Sequence, residues 1–162
     1  MGSGKTAFGK RLAKQLGYSF QDTDKNIETS QGISISEMFT RFGEAFFRLR
    51  EQEILHATVQ HHDAVISCGG GTPCFFDNIA WMRDHGIVVY LKVPEKELFR
   101  RLQNQSGKRP LLAGLNEEQL LEYIRTKTAE RQPFYDQAHQ VIDPTAVSPA
   151  FVAEQLQKRK NL

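Results

Sequence analysis

Met1-Gly2-Ser3-Gly4-Lys5-Thr6, running straight into Ala7-Phe8-Gly9-Lys10-Arg11-Leu12-Ala13-Lys14-Gln15-Leu16-Gly17, is the stretch on which the fold turns. Gly4-Lys5-Thr6 has the form of the closing half of the loop G-x-x-x-x-G-K-[ST], in which backbone N–H groups and a helix N-terminus cradle phosphates. In that reading Gly2, Ser3 and Gly4 supply the cradle, Lys5 reaches the outer phosphates and the Thr6 hydroxyl holds Mg²⁺. The motif also asks for a glycine five residues before Gly4 and a buried strand ahead of it, and the sequence as given opens at Met1. A plain helix N-terminus with a capping Thr would leave the same three letters, so the decision falls to the remaining residues.

Working outward, Phe8, Leu12 and Leu16 share one face of a helix that Gly17 can stop. Tyr18 to Asp22 is short and alternating, a strand that ends in the acidic pair Asp22 and Asp24. Residues 25–30 read as helix, Gln31-Gly32 breaks it, and Ser36 is a candidate N-cap for the next. A long helix is expected from about Gly43 to His61, with Phe47, Ile54, Leu55 and Val59 buried. Ala64-Val65-Ile66-Ser67-Cys68, closed by Gly69-Gly70-Gly71, reads as a fully buried parallel strand and its turn. Residues 76–85 return as helix, and Ile87 to Val93 form the clearest strand. Pro94 at the first helical position opens a helix through Leu102. Residues 103–115 have the length and the Gly and Pro content of a functional loop. A helix over Glu117 to Arg131 stopped by Pro133, a strand at Gln140 to Ile142 and a helix from Pro149 to Lys160 complete the chain. Alternation of apolar strands with helices predicts an α/β fold, a parallel sheet covered on both faces, with ligands at the carboxyl ends of the strands.

The 162 residues fit a single domain, 1–162, and the 40% hydrophobic and 25% charged composition is that of a globular chain. A net charge of +2 offers no field for nucleic acid or an anionic membrane, so neither is an expected partner. Cys68 and Cys74 make neither a zinc site nor a disulfide framework. With no long apolar run and no signal-peptide core, the expected location is the cytoplasm.

Five further groups carry chemistry. Asp22 and Asp24, beside a phosphate loop, can divide the labour between assisting a metal shell and accepting the proton of an attacking hydroxyl; alone, they would be a solvated turn. Arg48 and Glu51, three apart on one helical face, let the carboxylate hold a guanidinium ready for another carboxylate, although a surface ion pair would look the same. Gly69, Gly70 and Gly71 leave room for a ligand against backbone N–H groups, where the plain alternative is a flexible turn. Arg109, in Lys108-Arg109-Pro110-Leu111-Leu112, lies where a mobile arginine can close over a transferring phosphoryl group. Arg131 either joins the site or serves the dipole at its helix end.

In this order, Gly2-Ser3-Gly4-Lys5-Thr6, Asp22-Thr23-Asp24, Gly43-Glu44 with Phe47-Arg48 and Glu51, Ser67 with Gly69-Gly70-Gly71, Arg109-Pro110-Leu111-Leu112, and Arg131 with Tyr135 resemble shikimate kinases. The resemblance runs from Met1 to about Asp143. It implies ATP-dependent phosphorylation of the 3-hydroxyl of shikimate, with Mg²⁺, on the route to chorismate and the aromatic amino acids. It implies a P-loop kinase fold related to nucleoside-monophosphate kinases, strand order 2-3-1-4-5, with a substrate segment at about 25–61 and a lid at about 103–116. Carried over by motif, Lys5 and Thr6 serve the phosphates and metal, Asp22 the metal shell, and Asp24 the substrate hydroxyls and proton. Arg48 and Arg131 clamp the shikimate carboxylate, Gly69 to Gly71 line its ring, Arg109 is the lid arginine and Ser67 lies near the metal's water.

The departure lies ahead of Met1, where the family has an apolar strand and the first glycine of the loop. That strand belongs in the middle of the sheet, so the expectation is a gap between the strands at 64–68 and 87–93, from an upstream start or with another segment filling it. A monomer is expected unless a partner chain supplies the strand. The competing readings are another small-acid kinase, such as one for gluconate, and a non-catalytic fragment that completes its sheet from a partner.

Overall fold

The computed structural model describes residues 2–103 and 114–160, which hold seven α-helices, two 3-10 helices and four strands. Helix α1 (Lys5–Leu16) starts from Gly4 in the left-handed conformation and buries Phe8, Leu12 and Ala13. Strand β1 (Ser19–Asp22) pairs in parallel with β2 (Ala64–Ser67), Asp22 opposite Ser67. Strand β3 (Val89–Leu91) pairs in parallel with β4 (Gln140–Ile142). Phe8 and Leu12 of α1 share one core with Ile142 of β4 and with Val152 and Ala153 of α7 (Pro149–Lys160), and Val65 of β2 and Val89 and Leu91 of β3 pack against it. The two strand pairs are therefore joined through helices.

β2 and β3 do not pair with each other. A cavity of about 700 Å³ lies there, lined by Val65 and Ile66 of β2, Val89 and Leu91 of β3, and Phe8 and Leu12 of α1. β1, β2, β3 and β4 thus take the places of strands 2, 3, 4 and 5 in the expected order, with the place of strand 1 between them. The edges of β2 and β3 that face this slot have no strand partner among the described residues.

Several local expectations change. α2 (Thr23–Gln31) begins at once after β1, because the Asp22 side chain accepts from the Lys25 N–H and caps the helix. Asp22 and Asp24 are therefore not two residues of one extended strand; Asp24 sits in the first helical turn. The next helix, α3 (Ile35–Ala57), is capped by Ser34 rather than Ser36, and it is one element with a break at Gly43, φ 79° and ψ 174°. That conformation is open only to glycine at low cost, and it turns the first two turns of α3 against α2, where Ile27, Met38 and Phe47 form a separate small core. A 3-10 turn at Thr58–Gln60 ends the helix early. The tighter winding buries Thr58 and leaves Val59 47% exposed, against expectation.

A second 3-10 turn at Thr72–Cys74, not foreseen, precedes α4 (Asn78–His85). Pro94 accepts the first hydrogen bonds of α5 (Glu95–Gln103) through its carbonyl, from Glu97 and Leu98, so it caps the helix instead of occupying its first turn. α6 (Glu117–Tyr135) contains Pro133 instead of stopping at it. The exposed ring costs only an end-of-helix bond, and Tyr135 is anchored by packing on Tyr90 of β3, with ring centroids 4.5 Å apart.

Candidate active site

The phosphate loop and the first acidic residue meet directly. Gly4 accepts from the Phe8 N–H through its carbonyl at 2.9 Å, which closes the first turn of α1. The Thr6 hydroxyl then donates to Asp22 Oδ2 at 2.9 Å, so a helix N-terminus and a strand end present two hard oxygens side by side. Lys5 Nζ lies 3.5 Å from Ser3 Oγ. Gly2, with φ 68°, receives a hydrogen bond from Arg101 of α5 on its carbonyl at 3.2 Å.

Asp24 lies deeper. Burial pushes its pKa up from the ordinary carboxylate value, the negative charges of Asp22 and Glu51 push the same way, and Lys5 opposes them. Such a carboxylate is a stronger base than one in water. Its place is fixed by its neighbour: the buried Thr23 hydroxyl donates to the Ser67 carbonyl at 3.3 Å, pinning the start of α2 to the end of β2.

Arg48 and Glu51 are no surface pair. Glu51 is 1% exposed, and both its oxygens are engaged, Oε2 by Arg48 at 2.6 Å and Oε1 by the Thr72 hydroxyl at 2.6 Å. Arg48 also donates to Glu44 from Nε and from its other terminal nitrogen, at 3.1 and 3.0 Å, which leaves two of its five N–H donors. Its guanidinium lies 4.0 Å over the ring of Phe75, a cation–π contact that fixes the plane. Arg50, in contrast, pairs with Glu53 toward solvent.

The glycine turn fits between these groups. A Cβ on Gly69 would stand 2.9 Å from Glu51 Oε1, 3.1 Å from Thr72 Oγ1 and 3.2 Å from Asp24 Oδ1. A Cβ on Gly71 would stand 2.9 to 3.2 Å from the Arg48 guanidinium. These glycines therefore admit the protein's own functional side chains. The Gly70 carbonyl accepts from the Tyr135 hydroxyl at 2.7 Å. Arg131, one turn before Tyr135 on α6, lines the same cavity as Gly69 and Gly70; burial pushes the Cys74 thiol pKa up, while the charges of Arg131 and Arg48 both pull it down.

The structure thus brings together Lys5, Thr6, Asp22, Asp24, Arg48, Ser67 and Gly69 to Gly71 at the carboxyl ends of β1 and β2, and Arg131 of α6 lines the same cavity as Lys5, Ser67, Gly69 and Gly70. Arg109 lies outside the described residues. Thr72, Phe75 and Tyr135 as the turn's anchor were missed. Thr72 directly after three glycines was the available signal, since a hydroxyl there can reach the buried Glu51.

A family model for shikimate kinase matches residues 1–160. The chain belongs to the shikimate kinase family. It is 43% identical over 141 residues to a shikimate kinase of Bacteroides fragilis, covering 87% of this chain and 79% of that protein. The crystal structure of the Bacteroides thetaiotaomicron shikimate kinase superposes with a TM-score of 0.89 at 37% identity, over 100% of this chain and 94% of that one. The Acinetobacter baumannii shikimate kinase in complex with shikimate gives 0.83 at 33% identity, over 98% and 87%. Membership agrees with a P-loop kinase fold and with phosphotransferase activity.

Proposed function

We propose that the chain transfers the γ-phosphoryl group of ATP to the 3-hydroxyl of shikimate, releasing ADP and shikimate 3-phosphate for aromatic amino-acid biosynthesis. The observation that carries this reading is the Arg48–Glu51–Thr72 assembly, a stacked, half-buried guanidinium held by a buried carboxylate, with two free donors beside a carboxylate base. It suits a small hydroxylated anion: Arg48 and Arg131 take the carboxylate, Gly69 to Gly71 face the ring, and Asp24 takes the proton of the attacking hydroxyl.

On the phosphate side, the loop from Gly2 to Gly4 and the N-terminus of α1 bind the nucleotide, with Lys5 on the outer phosphates. The oxygen pair of Thr6 and Asp22 fits Mg²⁺, a hard cation that takes few protein ligands when phosphates supply the others. When bound, that ion neutralises charge on the phosphates; the protein's part is to orient hydroxyl and phosphoryl group in line and to hold Asp24 as proton acceptor. Arg109, in the segment 103–116 assigned as lid, is the arginine set aside for the transferring group, and 25–61 is the substrate segment. The working form is a cytoplasmic monomer of one domain.

The test is a coupled ADP-release assay with Mg²⁺ and ATP. A rate that saturates with shikimate and is absent with gluconate supports the assignment. Shikimate that binds without turnover, or turnover on gluconate, overturns it.

A further inference from the structure

Tyr135 ends α6, and the role just given to that helix rests on Arg131 alone. Yet α6 packs on α5 and, through Tyr135, on Tyr90 of β3, while the glycine turn, Arg48 and Asp24 belong with β1 and β2 across the slot. The two halves must be held in register near the site if two arginines, one from each, are to meet one carboxylate. Two contacts of Tyr135 do this. Its ring packs on Tyr90 of β3, and its hydroxyl donates to the Gly70 carbonyl at 2.7 Å, a bond between residues 65 apart in the chain. Arg131 stands four residues earlier on the same helix face, close enough that its guanidinium acts on the phenol.

Gly70 is flanked by the two positions whose missing side chains make room for the site. Gly69 abuts Glu51, Thr72 and Asp24, and Gly71 abuts Arg48. A carbonyl anchored at Gly70 fixes the peptide planes on both sides of it, and the anchor is carried by the helix that carries Arg131.

We propose that Tyr135 is a positioning residue for shikimate binding, registering Arg131 of α6 against Arg48 through its hydrogen bond to the Gly70 carbonyl. This rests on the assignment of Arg131 to the substrate carboxylate. Tyr135 touches no reacting atom, so its removal acts on the affinity for shikimate more than on the chemical step.

The experiment uses the full chain and three variants, Tyr135→Phe, Arg131→Ala and the double. Phe keeps the ring on Tyr90 and removes only the hydroxyl, and circular dichroism and the unfolding midpoint check the fold. Tyr135→Phe is expected to raise the shikimate Kd and KM roughly fivefold to tenfold, the worth of one hydrogen bond, with a smaller change in kcat and none in the KM for ATP. In the Arg131→Ala background the same substitution should change the shikimate Kd by less than about twofold, because residues that act through one another are not additive. An equal factor in both backgrounds, or wild-type affinity in Tyr135→Phe, overturns the inference while leaving Arg131 in the site. Unchanged affinity in Arg131→Ala alone overturns the carboxylate assignment, and the inference with it.

Discussion

At the scale of single residues, an aspartate surrounded by other acids and withdrawn from water is suited to take a proton. For Asp24→Asn we expect kcat to fall by about 10² or more, the usual contribution of a general base, while calorimetric titration still shows shikimate binding. Retained turnover would assign the proton to another group. Gly71→Ala is a second probe, because the new methyl would stand 2.9 Å from the Arg48 guanidinium without any demand on the backbone. The shikimate KM should rise roughly tenfold, as expected for losing a charge-assisted hydrogen bond, with the unfolding midpoint little changed. Glu51→Ala acts differently, since it leaves Arg48 with Glu44 alone and the buried Thr72 hydroxyl without its acceptor. With Glu44 still on the guanidinium, the loss should stay below about 3–5 kcal/mol, the cost of a wholly broken buried pair, readable as a lower urea midpoint at unchanged slope. Part of this was legible in the letters: the spacing of Arg48 and Glu51 gave their contact, whereas Gly69 to Gly71 read as room for a ligand and in fact admit Glu51, Thr72, Asp24 and Arg48. The burial of Glu51 was not, because it depends on Thr72 arriving from 21 residues away.

Among the elements, α5 offers a pH test. Arg100 and Arg101 both donate to Glu97, which holds its carboxyl down at about 2, against an ordinary value of 4.5. A carboxyl depressed in the folded state adds stability above its unfolded pKa and loses that contribution as pH falls through the folded one. The gap in stability between the wild type and Glu97→Gln should therefore be full at neutral pH, shrink below about 4.5 and vanish near 2, by urea titration at each pH. A gap independent of pH would mean the arginines do not act on Glu97. Helices and strands were legible where the apolar pattern was clear, as in α1, β2 and β4, although β2 is not fully buried as expected: Ala64, Val65 and Ile66 are half-buried and only Ser67 is buried. They were misjudged where a distant contact overrode a local signal. Pro133 reads as a stop, but Tyr135 is held from outside its helix; Ser36 reads as a cap, but Ser34 precedes it with the same chemistry. The break at Gly43 left no trace that its neighbours could betray, since glycine is equally ordinary at a helix start.

For the whole molecule, the edges of β2 and β3, which have no strand partner among the described residues, decide behaviour that no single residue explains. The cavity between them is lined largely by apolar side chains, so an environment-sensitive naphthalene dye should brighten with this chain at neutral pH without denaturant; a dark solution would mean the walls have closed. That gap was legible in the letters only through resemblance, since neither composition nor periodicity tells which strand lies in the middle of a sheet. The proposed site also straddles it: Thr6, Asp24 and Arg48 stand with one strand pair, Arg131 and Tyr135 with the other. A small acid gripped by both arginines would then work as a rivet through a seam, tightening two plates that are otherwise joined through α1 and α7. Occupancy at a hundredfold excess over Kd is worth about 2.7 kcal/mol to any fold, but here it would be paid into the weakest joint, so that melting this protein with its substrate becomes a direct reading of how firmly the two plates are fastened.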